Sequence, residues 1–331
     1  MSLLSTARLN FRSIRSSDVK FLNISPNLLL SVYLVIPLAV LLMVLDISAF
    51  SKPLIKSNSY VLNSDLAFLT LVLALPHIIA SFFGLFDKEY ISTYGKKVLR
   101  SAKLAIIVAI ILPLISLKLA FFGFALLTMF HVFRQQSGIA KSLMQGTNKY
   151  HVLWEWTGIS LSLLLYLAIY GKINISKAYV VSWLIIMTVF TFFGLLAMRV
   201  SKTKKGKSYM VLTHLLPIAS GGFLLMGYPI LSIIVPRLIH DFTGYIYYIC
   251  HDNNRFCEKK TNLIYRYFAT LGIPVLFLSP FLSIGITLVA YESKIANAYM
   301  FLAVLTLMHY FNESFLWKRG SLHRNYIKIL A

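Results

Sequence analysis

Apolar runs of about the length that a bilayer demands follow one another along this chain, separated by short polar stretches. A spanning helix needs about 20 mostly apolar residues. By that measure the runs fall at 28–46, 60–85, 103–118, 120–136, 153–171, 178–198, 209–235, 237–256, 264–290 and 295–316. The pattern predicts an all-α fold, a polytopic integral membrane helical bundle of about ten transmembrane helices. The third and fourth runs are short and tightly joined. The stretch 209–235 carries Pro217, Ser220-Gly221-Gly222 and Pro229, which predicts a kinked or broken helix. Such breaks are tolerated where neighbouring helices or a cavity satisfy the freed backbone groups. The organisation that follows is a basic tail over 1–27, a single transmembrane domain over 28–316 and a second basic tail over 317–331.

Composition agrees with that class. Only 13% of residues are charged and 58% are hydrophobic, where a soluble domain has roughly 25% charged residues. Lys and Arg number 32 against 11 acidic residues. In a soluble protein that excess would point to nucleic acid. Here the basic residues gather in short runs between apolar segments, which argues against nucleic acid and for the positive-inside bias. Lys88, Lys96, Lys97, Arg100 and Lys103 form one run, Arg199, Lys202, Lys204, Lys205 and Lys207 a second, and Lys318, Arg319, Arg324 and Lys328 a third. With ten spans all three share a side with the N-terminus, so both termini are expected to be cytoplasmic. Arg8, Arg12, Arg15 and Lys20 precede a first apolar run too long for a cleavable signal. Cys250 and Cys257 imply no disulfide framework.

Candidate chemistry lies in the histidines. His77, His131, His240, His251 and His309 fall inside or at the edge of apolar runs, where ionisable residues are costly and mark functional sites. From the span limits, His77, His131, His251 and His309 should share one layer in the cytoplasmic half of the membrane. Glu313 stands at i+4 from His309, on the same helix face. The densest polar patch runs from His240-Asp241 to His251-Asp252. Those two histidines share a face but lie about 16 Å apart along a helix axis, too far for one metal unless the helix breaks, so His240 is the weakest of the candidates. Asp241, Asp252 and Gln135 could orient metal-bound imidazoles through their second ring nitrogen. Tyr245, Tyr247, Tyr248 and Tyr310 could shape a pocket for a long apolar substrate, although most aromatics here fit interface belts and core packing. Taken singly, each buried histidine is more often a structural residue than a ligand. His151 and His323 fall in basic loops and should be solvated. His214, at the start of a run, is open as an outer residue of the site.

Three short motifs carry a resemblance. Leu75-Pro76-His77 with Asp87 looks like the Pro-His-Gly…Asp motif of the bacterial Brp/Blh family of membrane β-carotene-cleaving dioxygenases. Phe130-His131-Val132-Phe133 resembles that family's second histidine motif, and Tyr247-Tyr248-Ile249-Cys250-His251 with Arg255 resembles its later aromatic-rich one. The resemblance implies an all-helical bundle with non-haem iron held by histidines, splitting a polyene with O₂. It also implies ligand roles for His77, His131 and His251. Ile78 stands where the family has glycine, Arg255 where it has a further histidine, and the ending His309…Glu313…Trp317-Lys318 is outside the pattern. His309 or His240 would then complete the site.

The expectation is therefore an oxidoreductase holding one or two Fe(II) ions, or another transition metal, with O₂, a lipophilic substrate and membrane lipids as its partners. Imidazole and carboxylate ligands with open positions suit oxygen activation. Two other classes compete. A transporter or channel would use the intramembrane His, Asp and Glu for ion or proton movement, and His240 set apart from the rest would be its first step. A structural factor would use them as interhelical hydrogen bonds, worth about 0.6 kcal/mol each.

Overall fold

The computed structural model describes residues 21–50, 55–56, 64–171, 175–292 and 299–330, and the description below is of these. The basic stretch with Arg8, Arg12, Arg15 and Lys20 lies outside them. The fold is all-helical: among the described residues there is no strand, only the isolated bridges Ile24–Ile329 and Asp87–Asn262.

Helix α1 (Pro26–Ala49) leads to α2 (Ser64–Phe83). The 3₁₀ turn Gly84–Phe86 then runs into α3 (Lys88–Ile115). Next come α4 (Leu117–Met144), α5 (Lys149–Tyr170), α6 (Lys177–Met198), α7 (Lys204–Leu225) and α8 (Pro229–Glu258). After α9 (Leu263–Thr270) a short turn and a π-helical segment, Leu278–Leu282, lead into α10 (Ser283–Glu292). Helix α11 (Tyr299–Leu316) and the short α12 (Leu322–Asn325) complete the chain. Six helices (α1 and α3 to α7) are long and apolar enough to cross a membrane, or up to seven if the bent α9–α10 pair, which turns by 117°, is one span.

Local chemistry sets the helix limits. Asp87, Ser116, Ser176 and Thr203 each place a side-chain oxygen on a first-turn N–H of the helix that follows, satisfying donors that have no partner within the helix. Between α7 and α8 the chain turns at Gly227, whose φ of 85° is open to glycine and costly to other residues. Pro229 then supplies the fixed φ of a first helical position. The break in the expected 209–235 span thus lies at 226–228. Pro236 sits inside α8, so the expected boundary there does not exist. The basic run 88–103 is likewise helical, forming the first half of α3.

The outward faces are apolar. Leu38, Leu41 and Leu45 on α1, Ile107, Ile111 and Leu114 on α3, and Ile185, Phe192 and Leu195 on α6 are all exposed. Rows of exposed apolar residues on one helix after another are what hydrocarbon surroundings permit and water does not. Buried instead are Asp46, Glu155, Asp241, Asp252, Arg255 and Glu313. Helix α8 is the axis of the bundle, packing against α1, α2, α4, α5 and α7. Its polar residues recur every three or four positions, so Arg237, His240, Asp241, Gly244, Tyr248, His251, Asp252 and Arg255 form one stripe along its length.

The chain ends are packed together. Leu22 N donates to Asn254 Oδ1 at 2.6 Å, and Asn254 Nδ2 donates to the carbonyls of Leu22 at 2.9 Å and Tyr326 at 2.8 Å. The part of the C-terminal tail beyond α11 is therefore part of the fold. His151 and His323, expected in solvated loops, are both buried, on α5 and α12.

Candidate metal centre

Four helices each bring one histidine to the middle of the bundle: His77 from α2, His131 from α4, His240 from α8 and His309 from α11. Their rings meet edge to face in a closed circuit. Centroids are 4.8 Å apart for His77–His240, 5.0 Å for His240–His131, 4.9 Å for His131–His309 and 4.9 Å for His309–His77. One ring nitrogen of each lies within 4.8 Å of those of the other three. A metal–imidazole bond of about 2.0–2.1 Å sets ligands across one ion about 4 Å apart, so small side-chain movements close the set around a metal. Among the described residues this is the one grouping of three or more His, Cys, Asp or Glu that could hold a metal ion.

Both nitrogens of His77, Nε2 of His131, Nδ1 of His240 and Nε2 of His309 are buried without a hydrogen-bond partner. A buried polar atom left unsatisfied costs about 1–3 kcal/mol. Four of these, one on each ring, are explained by a metal ion that takes a lone pair from each imidazole, while the other nitrogen of His77 carries its proton. The donor set, four imidazoles in an apolar bundle, fits a transition ion.

The surroundings orient the rings. Ser81 donates its hydroxyl to the Ile78 carbonyl at 2.6 Å, and the Ser81 oxygen stands 2.8 Å from Nδ1 of His309. With its proton committed, the Ser81 oxygen accepts from an N–H at Nδ1, leaving the lone pair of His309 on Nε2, which has no hydrogen-bond partner. Gly244 makes room for His77, because a Cβ there would fall 2.3 Å from the His77 Cε1 atom. Asp241 lies 4.0 Å from Nδ1 of His77 and pairs with Arg237 at 3.5 Å. Glu313 lies 3.6 Å from Nε2 of His131 and 3.9 Å from Nδ1 of His309, and it accepts a hydrogen bond from Tyr248. It is placed as a further oxygen donor or as a carboxylate steering two of the rings. Tyr310 stacks on His131 with centroids 4.3 Å apart and donates to Thr128 at 3.1 Å. Tyr245 stands 6.1 Å from the His77 ring and shares a 3.2 Å hydrogen bond with Ser283.

His251 is elsewhere, three turns along α8 from His240. Its Nε2 meets the Tyr90 hydroxyl at 2.6 Å, its Nδ1 lies 2.8 Å from Asp252, and its ring stacks on His323 at 3.8 Å. Because α8 does not break, only one of its two histidines can reach the centre. The run 120–136 places His131 about one turn from a helix end, but α4 continues to Met144. His131 is thus in mid-helix, level with His240. Asp252 bonds Ser279 and His251 and does not face the four imidazoles. Gln135 pairs with Gln136, which accepts from Tyr33 and Tyr209. His214 hydrogen-bonds Trp154 and stacks on Phe190, away from the centre. Ser81 and Gly244 were missed because neither carries a chemical signal of its own. Arg237 was legible, as a charge at i−4 from Asp241 within an apolar run.

Beside the centre lies an open-mouthed cavity walled by α4, α5, α7, α8 and α11. Thr128 and Val132 flank His131, Arg237 precedes His240 by one turn, and Thr306 and Tyr310 flank His309; all five line the cavity. Three of the four histidine-bearing helices therefore also wall this space. The chain matches no protein-family model, no curated protein and no solved structure.

Proposed function

We propose that this protein is a membrane-embedded non-haem iron oxidoreductase that acts with O₂ on a lipophilic substrate. The observation that carries the reading is the closed ring of four imidazoles, each with a buried nitrogen that has no hydrogen-bond partner. His77, His131, His240 and His309 would hold the metal, with Glu313 as a further donor. Iron so held supplies activation of O₂. The chain supplies a dry, walled space and fixes the ligand orientations. The cavity walled by the same helices would take the substrate, with Tyr310 between it and His131. In this reading α2, α8, the α9–α10 pair and α11 also cross the membrane, giving about ten spans with both termini cytoplasmic. The chain would be a distant relative of the Brp/Blh dioxygenases, with the ligand role of the aromatic-rich motif taken by His240 in place of His251. Compactness favours a metal centre over transport, since the four histidines form one knot and no line of steps.

Elemental analysis of gently solubilised protein, never exposed to chelator, tests the proposal. The expected result is about one or two irons per chain, absent from a folded His131→Ala variant. Folded protein without stoichiometric transition metal would overturn it.

A further inference from the structure

Helical hydroxyls in this protein are satisfied, as a rule, by their own helix. Thr128, Thr157, Thr188, Thr213, Thr243, Thr287 and Thr306 each donate to the carbonyl four residues back. Ser31, Ser81, Ser92, Ser283 and Ser314 donate to the carbonyl three residues back. Buried Ser137 and Ser279 donate instead to carboxylates of other helices, Glu155 and Asp252, and two further buried serines find no partner at all. Ser220 on α7 and Ser232 on α8 are each only 3% exposed, and neither Oγ has a hydrogen-bond partner. Both line the cavity beside the metal centre, on facing helices.

We infer that the cavity is built for an apolar molecule bearing a hydroxyl group, held between Ser220 and Ser232; this rests on, and narrows, the substrate class proposed above. A seryl hydroxyl offers one donor and two lone pairs, so two of them match an alcohol, which both gives and takes a hydrogen bond. A carboxylate is disfavoured, because the charge of the cation on the wall, Arg237, is already balanced by Asp241 at 3.5 Å, although its Nε makes no hydrogen bond. Phe124, Met129, Phe133, Leu165, Leu216 and Ile233 form the apolar remainder of the wall. Ser232 precedes His240 by eight residues of one continuous helix, roughly 12 Å along the axis. The anchored alcohol would thus present to the metal centre a carbon well along its chain from the hydroxyl, and the site would measure position from that end.

The test compares tritiated farnesol with tritiated farnesene, an alcohol and a hydrocarbon of the same skeleton, binding to the full-length protein in nanodiscs. Partition into empty nanodiscs is subtracted, and metal content is read on the same samples. A neutral hydrogen bond contributes about a threefold to tenfold preference. The wild type should therefore favour the alcohol by about tenfold. Ser220→Ala and Ser232→Ala should each cut that preference about threefold while leaving hydrocarbon binding and metal content unchanged, and Ser232→Thr should keep it. Equal binding of both probes, binding of neither, or alanine variants that weaken both alike would overturn the inference. Preference intact in metal-free protein would overturn the iron reading alone, and metal intact without preference would overturn this inference alone.

Discussion

Two histidine clusters lie on the polar stripe of α8, one around His240 and one around His251, and they are opposites in how their polar atoms are used. Around His251 nearly every group is answered. Tyr90 and Asp252 take its two nitrogens. Arg255, one turn on, is 1% exposed and donates to both Asp87 oxygens at 3.1 and 3.0 Å, to Glu89 at 2.6 Å and to the Tyr326 hydroxyl at 2.7 Å. These bonds join α3 and its cap Asp87, α8 and the C-terminal segment, and only His323 Nε2 and the Tyr265 hydroxyl nearby are left without a hydrogen-bond partner. Around His240 the imidazoles meet one another and little else. Same residue types, same helix, different state of satisfaction: the His251 cluster is a clamp, and the His240 cluster is the candidate site. An ionisable residue within a membrane protein is thus informative only together with its partners.

The largest expected effect separates the two directly. His240→Ala should remove the bound metal, measured as metal per chain, and leave the fold intact. His251→Ala should keep the metal and lower the midpoint of thermal unfolding. The reverse outcome would move the metal site to the clamp.

Breaking the clamp at its charges comes next. Arg255→Ala leaves Asp87 buried without its partner, and removal of one member of a buried pair costs about 3–5 kcal/mol. Unfolding in detergent with graded denaturant should show that loss, while the metal stays bound at temperatures below melting. The pair also has a pH signature. Burial pushes the Asp87 carboxyl up, but hydrogen bonds from Arg255 and Thr261 and the guanidinium charge outweigh it and hold the group below its ordinary 3.8. A depressed folded value means that the contribution is complete above pH 3.8 and is lost as pH falls through the folded value. Stability below pH 4 should therefore fall less steeply in Asp87→Asn than in the wild type.

Smaller changes sharpen the site. Gly244→Ala would drive a methyl into the His77 ring, and overpacking of that kind costs about 1–3 kcal/mol. Metal affinity, read by competition with a chromophoric chelator, should drop by about tenfold. Ser81→Ala frees the His309 tautomer. Loss of such an outer partner weakens metal binding by about 10–100-fold, here expected at the low end because His309 is one of four ligands. Cobalt-substituted protein should report the same change in its visible absorption, a signature that a merely structural role for Ser81 would not move.

The sequence by itself determined the class of fold and the cast of residues. Runs of apolar residues can be satisfied only by helices in hydrocarbon, and the cost of burying imidazoles and carboxylates marked His77, His131, His240, His309 and Glu313 wherever they came to lie. Helix ends were less legible, because apolar windows stop where polar residues gather whereas helices stop at a cap. Arg134, Gln135 and Gln136 closed the window 120–136, yet α4 runs on to Met144 and ends at Gln145, whose φ is 52°. That difference changed the level of His131 and with it the choice between His240 and His251. Only the tertiary structure could decide it. Both histidines lie on one face of α8, and which of them meets the others depends on how four helices are staggered. Stagger is set by packing between side chains far apart in sequence, such as Gly244 against His77 and Arg255 against Asp87, and no local pattern encodes it.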